Sequence, residues 1–152
     1  MPWWFWLLVA FIVVASYVGA TSNRLDRLHA RLDAAWAALD AQLVRRSAVT
    51  LEIAASGLLD PATSVLLASA AHEARASSGD GREIGESELT GALRAAFTDP
   101  DVAATLAADP SGVELLHELD AAVTKVPLAR RFYNDAVRAT LAVRRHRVVR
   151  WL

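Results

Sequence analysis

The residues of this chain that could bind a metal or transfer a proton are histidines and carboxylates, and their spacing suits neither role. His72-Glu73 and His117-Glu118 are adjacent pairs. Neighbours on a helix point about 100° apart, so neither pair presents two ligands on one face. Neither pair extends to the HExxH zinc motif, because the residue four positions after each histidine is alanine. We therefore expect surface histidines and no metal site.

Nucleophilic and cofactor chemistry is equally unsupported. The 152 residues include no cysteine, which excludes a thiolate nucleophile, a thiolate metal site and a disulfide framework. Asp99-Pro100-Asp101 brings two carboxylates together, but Asp before Pro is better explained as a helix start. The chain also lacks a nucleotide-binding glycine loop, a Gly-x-Ser-x-Gly elbow and the kinase motifs. With a net charge of −1, we expect a protein that is no enzyme, needs no cofactor and binds no nucleic acid.

The most informative polar residues flank an apolar helical stripe in the first third of the chain. The stripe consists of residues spaced three and four apart: Leu25, Leu28, Leu32, Trp36, Leu39 and Leu43. At helical periodicity these side chains share one face. Asp33 and Asp40 flank that face on one side, and Gln42 and Arg46 flank it on the other. The pattern favours a core role for the tryptophan and helix-to-helix bonds for its polar neighbours.

A sharper hypothesis concerns the pairing of these carboxylates. Asp33 or Asp40 would pair with Arg130 or Arg131 across the bundle and so fix the register of the helices. Partly buried ion pairs specify an arrangement more than they stabilise it. The adjacent Tyr133-Asn134 would cap or cross-link helices in the same way. An alternative is that these groups line a small-molecule pocket between helices.

Helix start signals recur along the chain, and no segment alternates like a strand. No Pro or Gly interrupts residues 20–56, so we expect the N-terminal apolar segment and the following helix to form one long rod. Asp60-Pro61 combines a capping carboxylate with proline at the first helical position, which predicts a second helix over 61–77. Asp99-Pro100 and Asp109-Pro110 repeat that signal.

Glycines and a proline divide the rest of the chain. Ser77 to Glu86 reads SSGDGREIGE, which predicts an exposed loop and places a third helix from about Ser87 to Phe97. The last helix is predicted from Leu128 to about Trp151, and Pro127 either kinks the preceding helix or begins this one. Its apolar face is predicted to comprise Phe132, Ala136, Ala139 and Val143.

The N-terminus is apolar enough to predict a membrane segment. Residues 1–23 carry no charge, and the 18 residues from Trp3 to Ala20 would cover roughly 27 Å as a helix. Tryptophans cluster at one end of this run, as interfacial aromatic residues do. The alternative is a cleaved signal peptide, but no basic residue precedes the run. We expect an uncleaved anchor over residues 1–22.

Basic residues predict the orientation of this anchor and a second lipid contact. Arginines follow the apolar run at Arg24, Arg27 and Arg31, so the positive-inside rule places the bundle in the cytoplasm and the N-terminus outside. Basic and aromatic residues at the other end suit an anionic leaflet, although a frayed, solvated end is an equal alternative. These residues are Arg144, Arg145, Arg147, Arg150 and Trp151.

Two segments resemble motifs of the LemA family. Arg31 to Arg46 reads RLDAAWAALDAQLVRR, and Ala129 to Val137 reads ARRFYNDAV. The likeness rests on Leu32, Asp33, Trp36, Asp40, Gln42, Leu43, Arg45, Arg46, Arg130, Arg131, Tyr133 and Asn134. The chain departs from the family pattern after each motif, since Ser47 to Ala54 lacks the usual Pro and a second Tyr-Asn is missing. The resemblance to a divergent LemA member implies a membrane-anchored helical bundle and provides no catalytic residues.

Taken together, the sequence predicts an all-α protein with an N-terminal transmembrane helix and an antiparallel bundle of three to four main helices. The predicted division is an anchor at 1–22, a LemA-like bundle at 23–143 and a basic tail at 144–152. We expect a single-pass protein of the bacterial inner membrane that contacts the bilayer through residues 3–20. Its expected role is to bind another protein or a second copy of itself. The alternative is a ligand-sensing or transport-accessory bundle.

Overall fold

A computed structural model describes residues 3–79 and 81–149 of the chain, and within them the side chains of Phe5, residues 17–25 and residues 143–149 are not described. All regular structure in these residues is helical, and no strand occurs among them. The predicted all-α class and the helical bundle are therefore confirmed.

The first helix, α1, is one uninterrupted rod over Trp3–Ala55. The expected continuity between the apolar N-terminal segment and the helix after it is therefore confirmed. The rod ends before Gly57, whose φ of +73° lies in the left-handed region that favours glycine. The stripe residues Leu39 and Leu43 are buried, whereas Leu28 and Leu32 are only half-buried.

Each Asp-Pro pair begins a helix, as predicted. Helix α2 spans Pro61–Ala76, and helix α4 spans Pro100–Ala107. The Asp60 carboxylate accepts hydrogen bonds from the backbone N–H groups of Ala62 at 2.9 Å and Thr63 at 3.0 Å. These donors lie in the first turn of the helix, where no backbone carbonyl can reach them.

Helix α3 spans Gly81–Thr98, so the prediction of a loop up to Glu86 is wrong. The turn from α2 to α3 is completed at Gly79, with φ of +56°. Gly85 lies buried inside the helix for a different reason. A Cβ atom at this position would stand 2.5 Å from Ser77 Oγ and 3.1 Å from Ala74 Cα. The glycine therefore marks a close approach of α3 to the end of α2, which a sequence pattern cannot distinguish from a turn.

Helix α5 spans Pro110–Val149 and passes through Pro127 without a break. A separate last helix beginning at Leu128 is therefore wrong. Proline removes one backbone donor, but the buried Val126 and Ala129 on either side maintain the packing of the helix. Phe132, on the predicted apolar face of this helix, is 61% exposed, so no part of the described structure covers the face at this position.

The chain divides into two compact units. Unit 1 comprises Met1–Ala37 with Arg131–Leu152, and unit 2 comprises Ala38–Arg130. The hydrophobic core lies in unit 2 and draws on all five helices. Its largest fully buried side chains are Ile53, Leu67, Leu89, Leu106 and Val49. Burial of such side chains is the main stabilising contribution to a bundle of this size.

Among the described residues, no helix is long and apolar enough to cross a membrane. The transmembrane helix at 1–22 therefore gains no support from the fold and stays a prediction.

Candidate functional site

The charged motif residues of α1 form ion pairs with other helices of unit 2. Within seven positions, α1 carries three residues that form ion pairs, Asp40, Arg45 and Arg46. Their partners lie on α3 and α5 rather than on α1 itself. The segment that resembles the LemA family thus connects α1 to α3 and α5 through ion pairs.

Arg46 is the buried member of this set, with 6% of its surface exposed. Its Nη1 atom donates a hydrogen bond to Thr90 Oγ1 at 3.0 Å, and Nη2 donates to the Glu86 carbonyl oxygen at 3.1 Å. Nη2 also pairs with the Glu86 carboxylate. The Thr90 hydroxyl in turn donates to the Glu86 carbonyl at 2.8 Å. A guanidinium held by a carboxylate, a carbonyl and a hydroxyl is largely compensated for its desolvation.

The neighbouring polar groups on α1 are mostly satisfied within the helix. The hydroxyls of Ser47 and Thr50 are buried and donate to the carbonyl oxygens four residues earlier, at 3.1 and 2.8 Å. On α1, two buried atoms have no hydrogen-bond partner among the described residues, Gln42 Oε1 and Arg46 Nε. They lie four residues apart on the same helix, so the polar core around Arg46 is tightly but not completely bonded.

The other two pairs are more exposed. Arg82 Nη2 lies 2.5 Å from Asp40 Oδ1, and Arg45 Nη2 lies 3.2 Å from Glu118 Oε2. The hypothesis that Asp40 pairs with Arg130 is therefore wrong, because Asp40 pairs with Arg82 of α3 instead. Exposed pairs of this kind contribute little, about 0–1 kcal/mol each.

The predicted aromatic residues meet in unit 1. The ring centroids of Trp36 and Tyr133 lie 5.4 Å apart at an interplanar angle of 56°. This tilted arrangement matches the favoured edge-to-face geometry of aromatic pairs. Trp36 nevertheless keeps 45% of its surface exposed, so its predicted role as a core anchor is wrong. The pair lies at the surface of unit 1.

The remaining motif residues lie at the surface. Arg130, Arg131 and Asn134 are exposed, and so is Asp33. Within unit 1, Asp33 and Arg131 form no ion pair with each other among the described side chains. The hypothesis of an Asp33–Arg131 pair is therefore wrong.

The predicted lipid contact lies outside what can be described. The side chains of Arg144, Arg145 and Arg147 are not described, and Arg150 and Trp151 lie beyond the described residues.

Sequence reasoning missed the partners on α3 and α5. Glu86 and Thr90 are four residues apart and flank the buried Leu89, which is the spacing of a polar pair beside a core residue. That signal was hidden because the segment up to Glu86 was assigned to a loop. In the described part of the chain, no group of three or more His, Asp or Glu residues could hold a metal ion.

No family model, no curated protein and no solved structure matches this chain. The likeness to the LemA family therefore rests on the two motifs alone.

Proposed function

We propose that this chain is a non-enzymatic, LemA-like protein of the bacterial inner membrane, whose helical bundle acts as a protein-interaction or scaffold module. The observation that carries the proposal is that charged motif residues form ion pairs within the protein. Arg45, Arg46 and Asp40 are engaged with other helices of unit 2. Groups committed to internal ion pairs are poorly placed to act on a substrate.

The surface of unit 1 supports the interaction role. Trp36 is 45% exposed beside Tyr133, and Phe132 is 61% exposed. Aromatic residues supply much of the binding energy in protein interfaces, because they bury a large area at a small entropic cost. We place the partner contact on these aromatic residues.

The N-terminal segment supports the membrane anchor. All side chains described from Trp3 to Ser16 are exposed, and they are almost entirely apolar. A helix that packed on protein would bury at least one face, whereas a helix that is apolar on every face requires an apolar surrounding. These 13 described side chains are fewer than the roughly 20 residues of a spanning helix, and the rest of the charge-free stretch has no described side chains.

Cysteine labelling tests the location. The chain has no cysteine, so Ser78→Cys, at an exposed position after α2, gives a single label site without background. A membrane-impermeant maleimide should label this site only after the cells are lysed. Labelling in intact cells would contradict the cytoplasmic placement of the bundle and favour secretion.

Site-specific cross-linking in living cells tests the interaction. A photo-reactive amino acid at position 132 should give a discrete protein adduct. The same amino acid at position 65 serves as the matched control, since Val65 is as exposed as Phe132 but lies on α2 in unit 2. Mass spectrometry of the adduct identifies a second copy or another protein. If position 132 yields no adduct, or the same adducts as position 65, the interaction surface is wrong.

A further inference from the structure

Unit 1 has no buried core in its described part. Outside the charge-free stretch, its described side chains lie on two helix segments, residues 26–37 of α1 and 131–142 of α5. None of these side chains is buried, whereas unit 2 buries apolar side chains from all five helices. Two helices can cover only one face of each other, so a helix pair forms a core only when further helices pack on it.

The two segments of unit 1 run antiparallel. The Trp36–Tyr133 contact lies at the end of the unit, beside Ala37 on α1 and Arg131 on α5. From that contact, α1 extends toward lower residue numbers and α5 toward higher ones. Because both segments belong to one compact unit, they extend from the contact in the same direction. Positions equally far from the contact along the two helices are therefore at the same level.

One side of this helix pair is apolar. Residues advance about 100° around a helix, and in two antiparallel helices that face each other, rotations of the same sense lead to the same side. Six apolar side chains lie about 40–120° from the contact residues in the same sense, and we call them the apolar side. They are Leu28, Leu32 and Ala35 on α1, and Phe132, Ala136 and Ala139 on α5. Asp26, Asp33 and Asn134 lie on the opposite side.

The apolar side is least covered on α5. Phe132 is 61% exposed, and Ala139 is exposed as well. Ala136 and the three members on α1 are half-buried. A helix that packed over Phe132 and Ala139 would complete the burial of all six side chains.

Charges of opposite sign border the apolar side. Arg31 lies about 140° from Trp36 around α1, and Asp135 lies about 160° from Tyr133 around α5, both in the sense of the apolar side. They point away from each other and do not meet within one copy. Both are exposed, and they differ by about 4.5 Å in level. Among the described side chains, Arg31 forms no ion pair, and Asp135 pairs with Arg138 of its own helix at 3.7 Å.

We propose that a second copy of this chain covers the apolar side, so that α1 and α5 of two copies form a four-helix bundle. The proposal rests on the interaction role and the membrane anchor proposed above, and it names the partner. Anchors in one membrane give two copies the same orientation, so the two-fold axis runs along the helices and equal levels meet.

This symmetry places α5 of each copy on α1 of the other. Phe132 is then covered by α1 of the second copy. Arg31 lies within reach of Asp135 of the second copy, and the two-fold axis repeats that pair. The described side chains of unit 1 include four Arg and three Asp, so two copies meet with little net repulsion.

Charge reversal in trans tests this pairing. Two full-length copies with different tags are co-expressed and extracted in mild detergent, and recovery of the second tag with the first measures self-association. Arg31→Asp in both copies, or Asp135→Arg in both, places like charges at both contacts, so recovery should fall at least about threefold. Arg31→Asp in one copy with Asp135→Arg in the other restores two opposite-charge pairs and should restore recovery.

A matched pair of truncations locates the apolar contact. Phe132→Ala should lower recovery at least about threefold, because it removes the largest side chain from the proposed interface. Leu141 is the control, since it is 52% exposed on the same helix but lies about 180° around it from Phe132. Leu141→Ala should leave recovery unchanged. Circular dichroism verifies that each variant is folded.

The remaining outcomes separate this proposal from the interaction role. If the combination in trans recovers no more than either reversed pair, α1 does not contact α5 of a second copy, and the four-helix bundle is wrong. If wild-type copies do not recover each other but position 132 gives a photo-adduct with another protein, the second copy is wrong and the interaction role stands. If neither is observed, both proposals are wrong.

Discussion

Arg46 is the residue on which the packing of α1 depends most. Its guanidinium replaces bulk water with a carboxylate, a carbonyl and a hydroxyl of α3. Such a pair adds modest net stability, because desolvation offsets most of the attraction. Loss of Arg46 is nevertheless costly, because it leaves the Glu86 carboxylate buried without its positive partner.

Removing Arg46 tests this argument. Arg46→Ala should lower the free energy of unfolding by about 3 kcal/mol, because it strands the Glu86 carboxylate and leaves a cavity. The matched control Arg45→Ala should cost less than about 1 kcal/mol, because the side chains of that pair are 55% and 34% exposed. Denaturant unfolding of the full-length chain in detergent measures both. Similar losses for the two variants would contradict the special role of Arg46.

The helix caps respond to pH. Hydrogen bonds from the side chain and the backbone N–H of Thr63 hold the pKa of Asp60 below its ordinary value of 3.8. The pKa of Asp109 is lowered in the same way by the hydroxyl and backbone N–H of Ser111. A carboxylate with a lowered folded pKa stabilises the fold above its unfolded pKa, and this contribution is lost as the pH falls through the folded value.

Asp60→Asn isolates that contribution. Asparagine is also a good N-cap but does not titrate. The other carboxylates titrate in both proteins, so their effect on stability cancels when the two proteins are compared. Acidification from about pH 5 to pH 3 should lower the melting temperature of the wild type more than that of the variant, because only the wild type loses a charge at position 60. Parallel melting curves across this range would show that the charge of Asp60 contributes nothing.

At the scale of the helices, local signals and close packing make separate contributions. Asp99 caps α4 and Asp109 caps α5, and each carboxylate accepts a hydrogen bond from the backbone N–H two residues on. These signals involve neighbouring residues and can be read directly from the sequence. Gly85, in the first turns of α3, serves a different purpose, because it permits the close contact with α2.

A pair of glycine substitutions distinguishes packing from helix propensity. Gly85→Ala should destabilise the bundle by about 1–3 kcal/mol, because the new Cβ meets backbone atoms of α2 at 3.1 and 3.3 Å. Gly91→Ala lies on the same helix with no atom within 4 Å, so it should stabilise by up to about 1 kcal/mol. Thermal unfolding measures both variants. Stabilisation by Gly85→Ala would mean that α2 and α3 are not in close contact there.

At the scale of the whole molecule, the chain combines a bundle with a buried core and a helix segment whose described side chains are all exposed. Ile53, Leu67 and Leu89 are completely buried in unit 2. Leu7, Phe11 and Val14 of α1 are exposed on unit 1. The protein provides an apolar surrounding for the first group, whereas the anchor proposed above would place the second group in lipid.

Polar substitutions in the N-terminal segment test that assignment. Leu7→Ser, Phe11→Ser and Val14→Ser in one chain should release the protein from membranes in alkaline carbonate, because each serine removes apolar surface from the lipid contact. The bundle should unfold at an unchanged denaturant midpoint. The control Val65→Ser with Leu66→Ser removes exposed apolar side chains from unit 2 and should leave the protein in the membrane fraction. Retention of the triple variant would contradict the anchor.

The helical class and most helix starts follow from the order of the amino acids alone. Periodicity at three and four residues and the Asp-Pro pairs act within one or two turns, so neighbouring residues contain the whole signal. The likeness at Arg31–Arg46 also includes Asp40, Arg45 and Arg46, which form the ion pairs from α1 to α3 and α5.

The partners of these residues, and the burial of the apolar side chains, depend instead on how the helices pack. Glu86 lies 40 residues from Arg46, and no pattern within a helix determines that they meet. The exposure of Trp36 and the continuity of α5 through Pro127 depend likewise on what packs beside each helix. A helix face is apolar because of its own residues, but it is buried only where another helix covers it.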